Sequence, residues 1–296
     1  MITGRVLTAM VTPFGPDLSL DLKRAQALAE RLVRSGSDGL VLAGTTGESP
    51  TLTEGEKLSL FSAVLEAVGD RAVVIANTGT NDTVRSAAFS RQAAATGVHG
   101  LMAVVPYYNK PSQAGMLAHF ETISAATDLP LMVYNVPSRT ASNLLPETAS
   151  ELASRCPNVA AVKEASGTVD QAAELCRLLP SRVAVYSGDD SLTLPLLAVG
   201  ACGVVSVASH LVGERIQQMI EDFFSQRHAE ATAHHRQLLP LFRGLFAAPN
   251  PCPVKAALAM CGFAVGEGRL PLVALSAKEK EGLRSLLADL GLLPTA

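Results

Sequence analysis

Tryptophan is absent from the 296 residues, and tyrosine occurs only four times. With so few large aromatics, the place of each tyrosine carries information. Charge is sparse as well. Asp, Glu, Lys and Arg make up 17% of the chain, the net charge is -3, and no block of five or more like charges occurs. That balance argues against binding to a nucleic-acid backbone. The five cysteines (Cys156, Cys176, Cys202, Cys252, Cys261) are odd in number and form no CxxC pair. Reduced thiols in a cytoplasmic protein are the expectation, rather than a disulfide framework or a thiolate metal site. The six histidines lack HExxH or similar spacing, and His234 and His235 are adjacent on an expected helix, where they point to different sides. No metal is expected.

Two further absences shape the reading. The start, "MITGRVLTAMVTPFGP", has too short an apolar part for a signal peptide and reads as a strand ended by Pro13 and Gly15. The longest stretch free of charged residues, "SLTLPLLAVGACGVVSVASHLVG", is interrupted by Pro195, Gly200 and Gly203. It reads as a helix followed by a buried strand rather than a membrane span.

What is present is an alternation. Hydrophobic residues form 48% of the chain, enough for a large core. Eight short apolar runs recur at residues 5–11, 39–44, 72–77, 100–105, 131–135, 159–163, 183–188 and 203–207. Most are apolar throughout, as in strands buried on both faces. Helical patterns fill the gaps. Leu22, Ala25, Leu28 and Leu32 recur at helical spacing, as do Leu58, Phe61, Leu65 and Val68 behind a Thr53–Glu56 capping box. Thr168 with Gln171 marks another helix start, Ser276 with Glu279 a later one, and Gly36, Gly69 and Gly97 stand at expected helix ends. The repeating unit is roughly 25–30 residues.

Eight strand–helix units in residues 1–225 predict an α/β fold, a (β/α)8 TIM barrel. An open doubly wound sheet would carry a glycine-rich phosphate loop after its first strand, and "VTPFGPDLSLD" is not one. Residues 226–296 turn helical only and read as a C-terminal helical extension.

Barrel enzymes work at the carboxyl ends of their strands. There the sequence places "GTTGES" (44–49), "PYYNKPS" (106–112), "YNVPSRT" (134–140), Lys163 and "SGDD" (187–190). Three of the four tyrosines, Tyr107, Tyr108 and Tyr134, fall in these segments. Among seven lysines, only Lys163 closes an apolar strand run. A free lysine titrates near ~10.4, and burial that lowers this by roughly 3 leaves comparable amine and ammonium near neutrality. A neutral amine forms a Schiff base with a carbonyl. A plain ion pair with Glu164 is the alternative, but strand alternation sends Glu164 to the opposite face. The glycines and hydroxyls of "GTTGE" make either a carboxylate cradle or an ordinary turn. Arg139 is either an anion clamp or a loop cation.

The order of these motifs, "GTTGES", "PYYNKPSQ", "YNVPSRT", "VKEASG" and "SGDD", resembles the dihydrodipicolinate synthase family, within the pyruvate-dependent class I lyases that include N-acetylneuraminate lyase. The resemblance runs from "TGRVLTAMVTPF" to the eighth strand. It implies a barrel with a C-terminal helical extension, a homotetramer built as a dimer of dimers, and condensation of pyruvate with aspartate 4-semialdehyde without a cofactor. By resemblance Lys163 is the Schiff-base lysine and Tyr134 the general acid/base. Thr45 and Tyr108 complete the proton relay, and Tyr107 reaches across a subunit interface. Thr46 cradles the pyruvate carboxylate, Arg139 binds the aldehyde substrate's carboxylate, and Gly188 and Val205 wall the pyruvate site. Ser49, Asn81 and Tyr107 match a regulatory lysine pocket of the family. Glu54, Lys57 and Arg85 replace the histidines and acid common there, so weak or no inhibition by L-lysine is expected. Two alternatives stay open on sequence: a sibling aldolase or lyase using the same imine on a sugar acid or other aldehyde, and a non-catalytic barrel. Arg139 disfavours the first, since sugar-acid lyases of this group usually lack it. Lys163 and Tyr134 disfavour the second.

Overall fold

A computed structural model describes residues 2–294. Eight parallel strands close into a barrel in chain order. They are β1 (Val6–Ala9), β2 (Gly39–Leu42), β3 (Val73–Asn77), β4 (Gly100–Val104), β5 (Leu131–Asn135), β6 (Val159–Glu164), β7 (Ala184–Ser187) and β8 (Gly203–Ser206). The closing seam pairs Val6 with Val204 and Thr8 with Ser206. Seven strands lie within their expected runs, shorter by at most three residues, while β6 runs one residue past its expected end to Glu164.

Alternation along the strands separates two apolar layers. Leu7, Val41, Ile75, Met102, Met132, Ala161, Tyr186 and Val205 pack together inside the barrel. Val6, Leu40, Val74, Leu101, Val133, Val162 and Val204 join the larger cluster under the helices. Both layers are apolar, so the strand sequences show little alternation.

The first helices are α1 (Leu22–Arg34), α2 (Glu54–Val68), α3 (Thr83–Ala95) and α4 (Gln113–Ser124). The one-turn α5 (Pro137–Thr140), α6 (Pro146–Arg155), α7 (Val169–Leu178), α8 (Thr193–Ala198) and α9 (Ser209–Phe224) follow. After residue 225 come α10 (His228–Gly244), α11 (Cys252–Met260) and α12 (Ala277–Asp289). The capping boxes of α2 and α12 form as expected, with Thr53 and Glu56, and Ser276 and Glu279, exchanging hydrogen bonds. Thr168 is the N-cap of α7, but its side chain makes no cap bond. The Gln171 amide instead donates to Asn143 Oδ1 and Glu164 Oε2, because a buried carboxylate offers a stronger acceptor than an exposed helix end. Gly36 and Gly97 take left-handed φ values of 96° and 91° after α1 and α3. Gly69 is different: its φ is -63°, and glycine is needed because a Cβ would lie 2.6 Å from the Leu65 carbonyl oxygen. The uncharged stretch 191–213 divides into α8 and β8 as expected. Among the described residues, no helix is long and apolar enough to cross a membrane.

Candidate active site at the barrel mouth

Lys163 projects into the barrel from the end of β6. Its neighbours in register are Tyr134 on β5 and Tyr186 on β7. Only 5% of Lys163 is exposed, and its Nζ lies 4.1 Å from the centre of the Tyr134 ring. Burial pushes the ammonium down to about 7; the carboxylate of Asp190 opposes the shift, and the Arg139 guanidinium adds to it. Near neutral pH, lysine is thus divided between ammonium and nucleophilic amine. Burial moves the Tyr134 phenol the other way, above its ordinary range, while Arg139 and the Thr45 hydroxyl pull it back. The phenol therefore keeps its proton at neutral pH.

Glu164 faces outward, as strand alternation requires. It is buried and accepts from Asn135 Nδ2 at 3.1 Å, Gln171 Nε2 at 3.2 Å and the Ser166 amide at 2.6 Å. With its lone pairs engaged on the helix side, it gives Lys163 no ion pair. Asp190 is the carboxylate that Lys163 feels. It too is buried, accepting from the Ser206 hydroxyl and from the Val207 and Ala208 amides at 3.0 Å. Burial raises its pKa against the pull of those donors.

A cavity of about 160 Å³ opens above Lys163. Thr45, Thr46, Tyr134, Arg139, Gly188 and Val205, all singled out in the sequence, line it with Lys163. Gly188 explains itself: a Cβ there would sit 2.7 Å from Ala165 Cβ and 3.2 Å from Lys163 Cε, filling space against the lysine. Arg139 stands exposed on α5, with no carboxylate within salt-bridge distance among the described residues. Tyr107 and Tyr108 are not in this cavity. Tyr107 lines an adjoining one. Tyr108 has a φ of 74° and is 89% exposed.

The residues after 225 also reach the mouth. Phe246 and Asn250 line the cavity. Asn250 Nδ2 donates to Thr46 Oγ1 at 3.0 Å, and its Oδ1 is buried without a partner among the described residues, an acceptor open to a ligand's donor. Behind the loop, Glu48 adopts a left-handed φ of 57° and buries its carboxylate. Lys255 on α11 meets it at 2.5 Å, and the Arg269 amide donates to it at 2.9 Å. The Arg269 guanidinium bridges Glu56 and the carbonyls of Leu18 and Thr51. Thr46 and Glu48 are therefore positioned from the C-terminal extension. Sequence reasoning missed Asp190, Asn250 and Lys255 in these roles. The signal was "APNPCPVK" (residues 248–255), where three prolines and an asparagine break an otherwise helical stretch before a lysine on an apolar helix.

An amine free to attack, a protonated phenol against it, a hydroxyl-lined turn and a guanidinium unpaired among the described residues form a set suited to imine chemistry on a small keto acid. The model of the Dihydrodipicolinate synthetase family matches residues 2–290. A 4-hydroxy-tetrahydrodipicolinate synthase of Desulforudis audaxviator is 56% identical over 290 residues, covering 98% of each chain. One from Synechococcus elongatus is also 56% identical, covering 98% of this chain and 97% of its own. Among solved structures, DHDPS from Cyanidioschyzon merolae with lysine bound superposes with a TM-score of 0.96 at 46% identity, covering 98% of this chain and 99% of that one. Dihydrodipicolinate synthase from Thermotoga maritima superposes at 0.95 with 42% identity, covering 98% and 99%.

Proposed function

The chain belongs to the dihydrodipicolinate synthetase family, and on that premise we infer how its barrel mouth works. It condenses pyruvate with L-aspartate 4-semialdehyde to 4-hydroxy-tetrahydrodipicolinate, the entry step of lysine and diaminopimelate biosynthesis, as a class I carbon–carbon lyase. The observation that carries the assignment to this cavity is a buried lysine, held near half-protonation and in contact with a buried tyrosine ring.

Lys163 Nζ adds as the free amine to the ketone carbon of pyruvate. Tyr134, still protonated, gives its proton to the departing hydroxyl, and water leaves as the imine forms. The iminium then serves as the electron sink when a methyl proton departs to yield the enamine. The enamine carbon attacks the aldehyde of the second substrate. That substrate's amine adds to the imine carbon, closes the ring and releases Lys163. Thr46 and its loop hold the pyruvate carboxylate, Thr45 passes protons to and from Tyr134, and Gly188 and Val205 shape the pyruvate pocket. Arg139 takes the carboxylate of the aldehyde, which its exposure and lack of an ion-pair partner among the described residues support.

The relay is completed by a tyrosine from a second copy of the chain. The sequence pointed to Tyr107 for the reach across subunits. We assign that reach to Tyr108, because Tyr108 stands in solvent while Tyr107 is turned into the adjoining cavity. The assembly is a homotetramer, a dimer of dimers, and the enzyme is cytoplasmic, in keeping with five free cysteines. A screen of aldehyde acceptors with pyruvate tests the substrate assignment. Turnover is expected to be fastest with aspartate 4-semialdehyde. Preference for polyhydroxylated acceptors would overturn it.

A further inference from the structure

Within the C-terminal extension, α11, α12 and the loop joining them bound a cavity of about 450 Å³. Small-molecule sites occupy roughly 300–1,000 Å³, so the space suits a ligand. It shares no lining residue with the catalytic cavity or with the adjoining one that Tyr107 lines. The space exists because the facing side chains are short. Ala256 and Ala259 of α11 line it, and the loop adds Ala264 and Ala274. Met260 and Leu275 complete the apolar wall, and a methionine adapts readily to the shape of an apolar guest.

Charge is distributed unevenly around that surface. Lys255 lines the cavity, but its buried ammonium is already engaged. It meets Glu48 Oε1 at 2.5 Å and the Glu267 carbonyl at 3.1 Å, with the Phe14 ring centre 4.3 Å away. Lys280 and Arg284 are different. They stand four residues apart on α12, hence on one face, and both line the cavity. Both are exposed, and neither side chain has a salt bridge or hydrogen bond among the described residues. Glu267 is the one carboxylate residue on the walls among the described residues, and it too is exposed. Two free cations beside an apolar chamber match a carboxylate with an apolar tail. A bare anion would gain nothing from the alanines, and a dicarboxylate would bury its second charge among them without a partner.

We propose that this chamber binds an unbranched aliphatic monocarboxylate, with its carboxylate on Lys280 and Arg284 and its chain along Ala256, Ala259 and Met260. The occupant bridges α11 and α12 and stabilises the folded extension, since it binds only where the two helices meet. It leaves the Lys163 cavity open to pyruvate. The binding does not depend on the catalytic assignment.

Equilibrium dialysis of the full chain with radiolabelled octanoate tests the site, because it reads binding without turnover. One equivalent per chain is expected, with or without saturating pyruvate. Octylamine carries the same chain with the opposite charge and should not compete. Butyrate, with a shorter chain, should compete less well than unlabelled octanoate. Replacing both cations, Lys280→Gln with Arg284→Gln, should weaken octanoate by about tenfold to a hundredfold, whereas Lys280→Arg should retain it. Ala259→Leu puts bulk into the chamber and should weaken octanoate with the cations intact. All three positions are exposed, so the fold is not at stake. Borohydride trapping of pyruvate in each variant reports an intact Lys163 site separately. The proposal would be overturned by no octanoate binding to the unaltered chain, by equal competition from octylamine, or by displacement with pyruvate. Binding unchanged in either the doubly neutral variant or Ala259→Leu would overturn it as well.

Discussion

Lys163 sits in a strand that packs like any other, yet its side chain is held where a charge is poorly solvated. That position sets its titration. Below about 7 the lysine is ammonium and cannot add to a ketone, so the acid limb of kcat/KM should fall with an apparent pKa of about 7, read from a pH–rate profile. The same burial has a stability consequence. The unfolded lysine titrates near ~10.4, well above the folded value, so the unfolded chain binds the extra proton between the two. The destabilisation is therefore full below the folded pKa and is relieved as pH rises toward the unfolded one. Lys163→Met should raise the melting temperature most near pH 6, with the gain shrinking by pH 9. Tyr134→Phe removes the proton donor and should lower kcat by about 10²- to 10⁴-fold with little change in fold. At this scale the sequence was readable for Lys163 and Tyr134, since a lone lysine closing an apolar run and a scarce tyrosine at the next strand end both stand out. It was silent on Asp190 as the opposing charge, because nothing local shows which of two adjacent aspartates turns inward.

Among the elements, the mouth depends on one that the sequence presents as an appendage. The barrel strands were legible because strands buried on both faces leave continuous apolar runs. The reach of Asn250 and Lys255 into the "GTTGES" loop was not, because contacts between residues some 200 positions apart leave no local pattern. Their roles have separable consequences. Asn250→Ala removes one hydrogen bond to Thr46 and should raise KM for pyruvate by about fivefold, with kcat less affected, in steady-state kinetics. Lys255→Met strands the Glu48 carboxylate in an apolar setting and should cost about 3–5 kcal/mol of stability in denaturant melts. Adding Glu48→Gln to that variant should recover most of the loss, since the cost is an unpaired buried charge rather than a lost contact.

For the molecule as a whole, the relay proposed above needs a tyrosine supplied by a neighbouring copy. Tyr108 on one chain and Lys163 on the other can be separated by co-expressing Tyr108→Phe with Lys163→Ala. Each variant alone should be nearly inactive, while mixed assemblies should regain activity at sites that combine an intact Lys163 with the partner's intact tyrosine. No recovery would assign Tyr108 to its own subunit or to no catalytic role. Regulation belongs to this scale too. With Lys57, Arg85 and Arg139 around the adjoining cavity that Tyr107 lines, a ligand ammonium meets like charge, so sub-millimolar L-lysine should not inhibit in a steady-state assay.

Everything in the catalytic account passes through one covalent bond. Reducing the enzyme with borohydride in the presence of pyruvate, then mapping peptides by mass spectrometry, tests that bond directly. The account predicts a single reduced pyruvyl adduct on Lys163 and none without pyruvate. An unmodified Lys163, or an adduct on another lysine, would contradict it.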